Sequence, residues 1–258
     1  MKKLFYLPLM LGAMAVAFTS CSDDDNGSTS ASLLITSNLT PNDAPGVSRV
    51  MAETWGADEQ SHVVAYASLG TLGFNLLLDA TPHASTVAAI DDILGWDVSD
   101  IFTVSNSNAR IAAVWELYGF TSATGPFLDA DFAGFIYRDG VLGSGDNIVR
   151  GDEVFIYADR DVSITGIDQF GPFRDIMNMN LEQGWNRVFM LFSESTEGGQ
   201  RIEIYEWTTT PLAGMVWTWF FEPADDNGEP TSTAMSAQEN SAEARIMERV
   251  TQRRNARR

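Results

Sequence analysis

The chain predicts an all-β fold, a β-sandwich of antiparallel strands, on three observations. From Leu33 to Phe221 apolar residues recur with period 2 in short runs. Clusters of Gly, Asp, Asn, Ser and Pro separate the runs. Only two segments carry helical spacing, and neither is strongly apolar.

Leu33–Thr36 and Val47–Trp55 supply the first strands. Leu72, Phe74, Leu76 and Leu78 fall on one face of the next. Ser85–Leu94 spaces Val87, Ile90 and Leu94 by three and four, which predicts a short helix or a loop. Ile111, Ala113, Trp115 and Leu117 share one face of a longer strand, and Phe132–Tyr137 is another run. Gly140–Gly145 reads as a loop, since it lacks the strand–helix setting and the Lys of a phosphate-binding motif. The turn-like Arg150-Gly151-Asp152 leads into Val154–Tyr157, and Asp159-Arg160-Asp161 leads into Val162–Thr165 as the second strand of a pair. Val188–Phe192, Arg201–Trp207 and Val216–Phe221 complete about ten strands. One large sandwich is the simplest count, and two smaller domains are the alternative. Ser236–Arg258 has only Ile246, Met247 and Val250 as large apolar residues, so it reads as a solvated helix or a disordered tail.

The N-terminus reads as an address. Lys2 and Lys3 precede an apolar run from Leu4 to Phe18, the charged and apolar regions of a secretory signal. That run is shorter than the roughly 20 residues a bilayer span needs. Phe18-Thr19-Ser20-Cys21 resembles the lipobox of bacterial lipoproteins, which implies cleavage before Cys21 and lipid on its sulfur. Ser22, Asp23, Asp24 and Asp25 follow, and this acidic run resembles the export signal of surface lipoproteins in Bacteroidetes. The resemblance implies an outer-membrane protein facing the cell exterior; a plain acidic linker would leave it facing the periplasm. The expected organisation is a signal over 1–20, a lipidated and flexible tether over 21–31, the β-sandwich over 32–223, and a linker with a basic tail over 224–258.

Composition narrows the chemistry. Formal net charge is −19. Both lysines lie in the signal, so the mature chain keeps 14 arginines against 35 acidic residues, a formal charge of −21. So acidic a surface repels phosphate backbones, and no nucleic-acid partner is expected. Cys21 is the single cysteine and is assigned to lipid, which leaves no thiol nucleophile, disulfide or thiolate metal site. Without lysine there is no Schiff base. His62 and His83 are the only histidines, stand in no metal-ligand spacing, and read as isolated surface or packing residues. No catalytic residue, metal or cofactor is therefore assigned.

Two motifs sit late in the strand pattern. Asp161-Val162-Ser163-Ile164-Thr165-Gly166 reads as a strand after an acidic turn. In Leu181-Glu182-Gln183-Gly184-Trp185-Asn186, Gly184 suits a tight turn, Trp185 a buried strand start, and Asn186 a bond to the turn backbone. Together with the tryptophan-containing strand Trp217–Phe221 they resemble the C-terminal half of β-sandwich lipoproteins of Bacteroidetes. The resemblance implies fold and location, and no activity.

Two sets of residues remain as site candidates. Asp129/Asp131, Asp152/Glu153 and Asp159/Asp161 are carboxylate pairs in expected turns; oxygen ligands suit Ca²⁺, but none fits a calcium-loop pattern. Trp217, Trp219 and Phe221 share one strand face, and Trp207 with Tyr205 shares another, expected on an adjacent strand. Trp207, Trp217 and Trp219 are thus either a sandwich core or a platform that stacks on sugar rings, and core packing is the preferred reading for Trp217 and Trp219. The leading functional reading is a surface-anchored, non-enzymatic lipoprotein that binds or presents a ligand, in contact with the membrane through its lipid and with a glycan or surface-protein partner. The alternatives are a glycan-binding accessory of a polysaccharide-uptake system and a carboxylate-based hydrolase.

Overall fold

A computed structural model describes residues 31–56, 60–79, 81–95, 97–127, 131–142 and 149–221. The chain is an all-β, sandwich-like fold of fifteen strands among these residues: β1 Leu33–Ser37, β2 Arg49–Trp55, β3 Ser61–Ser68, β4 Phe74–Leu78, β5 Ala88–Ala89, β6 Thr103–Val104, β7 Arg110–Val114, β8 Leu117–Phe120, β9 Phe132–Leu142, β10 Val149–Ala158, β11 Val162–Phe170, β12 Phe173–Leu181, β13 Gly184–Glu197, β14 Gln200–Thr208 and β15 Val216–Phe221. Two helical turns, α1 Ile90–Leu94 and α2 Val98–Ile101, lie between β5 and β6. No helix among the described residues is long and apolar enough to cross a membrane.

The main sheet runs β3-β2-β8-β9-β10-β13-β14-β12-β11-β6. β9 carries β15 on Gly134–Asp139 and β8 on Phe132–Ile136, then hands over to β10 at Asp139–Leu142. β10 pairs with β13 along its whole length; β9 covers its first residues and β7 its last four. β1 and β4 form a separate antiparallel pair.

β7 and β10 are the wall between two cores. Ile111, Ala113, Val154, Ile156 and Ala158 point into one, which α1, α2, β11 and β12 close. Ala112, Val114, Phe155 and Tyr157 point into the other, with β1, β2 and β4. A strand buried on both faces is apolar throughout, and each buried large side chain contributes roughly 1.5–3 kcal/mol.

The wall explains several departures from the expected pattern. Arg150-Gly151-Asp152 is no turn; it lies inside β10, paired with β13. The expected strand over 111–117 divides at Trp115-Glu116, where the chain leaves β10 for β9, so Ile111 and Leu117 face different cores. β10 and β11 are consecutive but not partners, because β11 turns away to pair with β12. Leu72 precedes β4 and is 91% exposed, while Phe74, Leu76 and Leu78 are buried as expected. Helix over 85–94 shrinks to α1, though Ile90 and Leu94 are buried.

One pair departs from antiparallel order. β14 is wedged between the arms of the β12–β13 hairpin, antiparallel to β13 and parallel to β12. The apex of that hairpin is the Leu181–Asn186 turn. There Gly184 has φ 108°, Trp185 is buried, and Asn186 accepts from the Glu182 N–H at 2.9 Å and donates to the Glu182 and Gly184 carbonyls at 2.8 and 2.9 Å. Ala31, the first described residue, pairs with Gly184 at this apex; a Cβ on Gly184 would stand 2.4 Å from the Ala31 nitrogen.

Candidate functional site

The three tryptophans do not form one platform. β14 and β15 are not neighbours in the sheet, since β15 pairs only with β9. Trp207 is buried in the first core, edge-on to Trp115 at 6.1 Å. Trp217 and Trp219 lie half-buried against the second. The six-membered ring of Trp219 covers Gly119 and Gly134, cross-strand partners on β8 and β9; a Cβ on Gly119 would fall 2.7 Å from it.

Trp217 belongs to a built cleft. An open groove of about 400 Å³ is lined by Thr36, Ser37, Asn38, Arg138, Met215, Val216 and Trp217. Three elements meet there: the end of β1, the middle of β9 and the start of β15. Trp217 and Arg138 are register partners on β15 and β9. The Trp217 indole N–H donates to the Thr36 carbonyl at 3.0 Å, and the ring meets Phe74 edge-on at 5.3 Å. The wall is therefore fixed from two sides.

Arg138 is fixed as well. Its Nη1 donates to Oε2 of Glu153 at 2.8 Å, and Arg187 Nη1 bonds the other carboxylate oxygen. The Glu153 side chain is fully buried, while both arginine side chains keep about three-tenths of their surface exposed. Arg187 also donates through Nη2 to the Leu34 carbonyl at 2.9 Å. Side chains from β13 and β15 thus take alternate carbonyls of β1, Leu34 and Thr36, and fasten that strand to the body. Two guanidinium groups around one carboxylate leave a net positive charge beside the groove of a strongly acidic chain. Only one of the five N–H bonds of Arg138 has a partner among the described residues.

The remaining candidates resolve into structural roles or lie elsewhere. Glu153 is consumed by its two arginines, and Asp152 is its neighbour on β10 rather than a turn partner. Asp161 accepts from the Gln183 N–H at 2.8 Å, closing the hairpin apex. Burial opposes ionisation of Asp159, but the hydrogen bonds from Arg160 and the Arg110 N–H outweigh it and hold that carboxyl below its usual range. Asp129, Cys21, Ser22, Asp23, Asp24, Asp25, the Phe221 side chain and the tail over 224–258 lie outside the described residues. Among the described residues no group of three or more His, Cys, Asp or Glu is placed to hold a metal ion.

The histidines are not isolated. His62 on β3 and His83 before β5 stack at 4.2 Å with an interplanar angle of 4°. Ser85 Oγ lies 2.8 Å from His83 Nδ1 and 3.2 Å from His62 Nε2. The pair joins an edge strand to a loop, and sequence spacing gives no signal for a contact across 21 positions. A second surface also escaped the sequence: Tyr66, Met51, Tyr118, Phe135 and Phe220 are successive register partners across β3, β2, β8, β9 and β15. Phe127 packs on that side against Phe120 and Tyr66 under the Arg49 guanidinium, which bonds the Ser122, Gly125 and Pro126 carbonyls.

No family model, curated protein or solved structure matches the chain.

Proposed function

We propose that the chain is a surface-anchored, non-enzymatic binding module, lipidated at Cys21, addressed outward by Ser22, Asp23, Asp24 and Asp25, and holding its ligand in the groove beside Trp217. One observation carries this reading: Ala31, where the expected tether ends, and the groove lie at opposite ends of β1. The tether reaches the fold at Ala31, pinned to Gly184. β1 then runs straight to Thr36 and Ser37 at the groove. At about 3.3 Å per strand residue the groove stands some 17–20 Å from the point of entry. A lipid at Cys21 holds one end toward the membrane and leaves the groove outward. The groove has the concave form and few converging polar groups of a binding site, within the usual range of about 300–1,000 Å³.

Lipidation is the premise to test first. Cys21→Ala removes the acylation site, so the protein should pass from the detergent to the aqueous phase on Triton X-114 separation. Full retention in detergent would overturn the anchored reading.

A further inference from the structure

We propose that the groove takes a saccharide unit bearing one carboxylate, a uronate, with its ring on Trp217 and its carboxylate on Arg138; this rests on the reading of the groove as the binding site. The chemistry of the walls sets the class. Arg138 offers the groove N–H donors with no partner among the described residues, and a guanidinium fork matches a carboxylate in two parallel bonds. Its position is set in advance by the buried Glu153, so little side-chain entropy is lost on binding. Trp217 lies directly across the strand pair from it, and its N–H is committed to Thr36, so what it offers a ligand is ring surface. Apolar C–H faces of a sugar ring lie on such a surface. The Asn38 amide and the Thr36 hydroxyl have no hydrogen-bond partner among the described residues and are exposed at the same groove. A ligand rich in hydroxyls uses them; a purely aromatic acid leaves them bare.

The charge of the molecule limits the ligand further. The site carries about one net positive charge, from two arginines against one glutamate. The rest of the chain is strongly acidic, and a polyanion would be repelled by its field. Asp139, one residue beyond Arg138, points to the opposite face of β9, where it accepts from the Thr218 hydroxyl, so it is not counted in the charge of the groove. A single carboxylate on an otherwise neutral saccharide fits this balance.

The experiment is calorimetric titration of the full chain, with its lipid anchor in detergent, against three probes: a disaccharide ending in glucuronate, the matching disaccharide ending in glucose, and a tripeptide with a free C-terminal carboxylate. The glucuronate probe should bind at least tenfold more tightly than the other two. Arg138→Gln should abolish that preference and Arg138→Lys should restore part of it. Because Arg138 also partners Glu153, Asn38→Ala is the second variant: it breaks no side-chain bond among the described residues, should leave the melt unchanged, and should weaken the glucuronate probe several-fold. Equal binding of the glucose probe, stronger binding of the tripeptide, or no binding of any probe would each overturn the uronate assignment. Detergent partition of Cys21→Ala is independent of all three outcomes, so the anchored reading stands or falls separately.

Discussion

At the scale of the residue, Glu153 shows how a side chain can hold a site without touching its ligand. Its carboxylate is fully buried and bound by Arg138 and Arg187 from two strands. Removing one partner of a buried ion pair leaves unpaired charge and is strongly destabilising, by about 3–5 kcal/mol. Glu153→Ala should therefore lose about that much in urea unfolding, whereas Glu153→Gln, which keeps the shape and one acceptor oxygen, should lose less. Equal losses in the two variants would show that volume, not charge, sets the role of Glu153. Read from the sequence, Glu153 is half of a turn carboxylate pair, because the acidic dipeptide follows Arg150 and Gly151. Its true partners are 15 positions upstream and 34 downstream on neighbouring strands. The His62–His83 stack was illegible for the same reason: both residues were visible, and their meeting depends on how β3 and a loop are folded together.

Strands and their faces were legible where alternation was strong. β4 buries Phe74, Leu76 and Leu78 and exposes Asn75 and Leu77, the period of two read from the sequence. β12 escaped because its buried apolar positions are Met177, Met179 and Leu181 set among Asn178 and Asn180, residues poor in strand propensity. β3 escaped because Ala65 and Ala67 give its inner face little volume. The partner order of strands was not legible at all, and so Trp207 was expected beside Trp217. Trp217 rests edge-on against Phe74 and Trp219 covers two glycines, and both rings stay half-buried at the margin of the second core. Those glycines carry a prediction for the β8–β9–β15 unit. Gly134 has φ 144°, and a Cβ there would stand 2.2 Å from the Phe220 carbonyl oxygen and 2.9 Å from the Trp219 ring. A backbone atom cannot step aside as a side chain can. Gly134→Ala should cost more than the 1–3 kcal/mol typical of overpacking and loosen β15 from β9. Hydrogen exchange at Trp217–Phe221 measures that loosening; unchanged protection together with an unchanged melt would show that β9 absorbs the methyl group.

For the whole molecule the anchored reading turns on which end of β1 would face the membrane. Ala31, the first described residue, lies against the hairpin apex, and Asn38 lies at the groove, beyond the other end of the strand. The chain contains a single cysteine, Cys21, which the anchored reading assigns to lipid. A cysteine introduced at Asn38 would then be the one thiol open to reagent, and Asn38 is exposed with no side-chain bond to lose among the described residues. On intact cells, Asn38→Cys should react with a membrane-impermeant maleimide to nearly the extent seen after lysis. Adding Ala at Asp23, Asp24 and Asp25 should keep the protein in the detergent phase and sharply reduce labelling of intact cells, because the outward address is lost while the lipid remains. Labelling that appears only after lysis in the parent variant would place the groove in the periplasm and overturn the outward reading. Equal labelling with and without the aspartates would assign the acidic run to the tether alone. The geometry adds a further demand that a bare linker does not meet. Since β1 carries the groove some 17–20 Å beyond the tether, reaction at Asn38 should be as fast as at a freely exposed cysteine. Slow reaction on intact cells that becomes fast on detergent extraction would mean that the groove lies against the membrane instead of away from it.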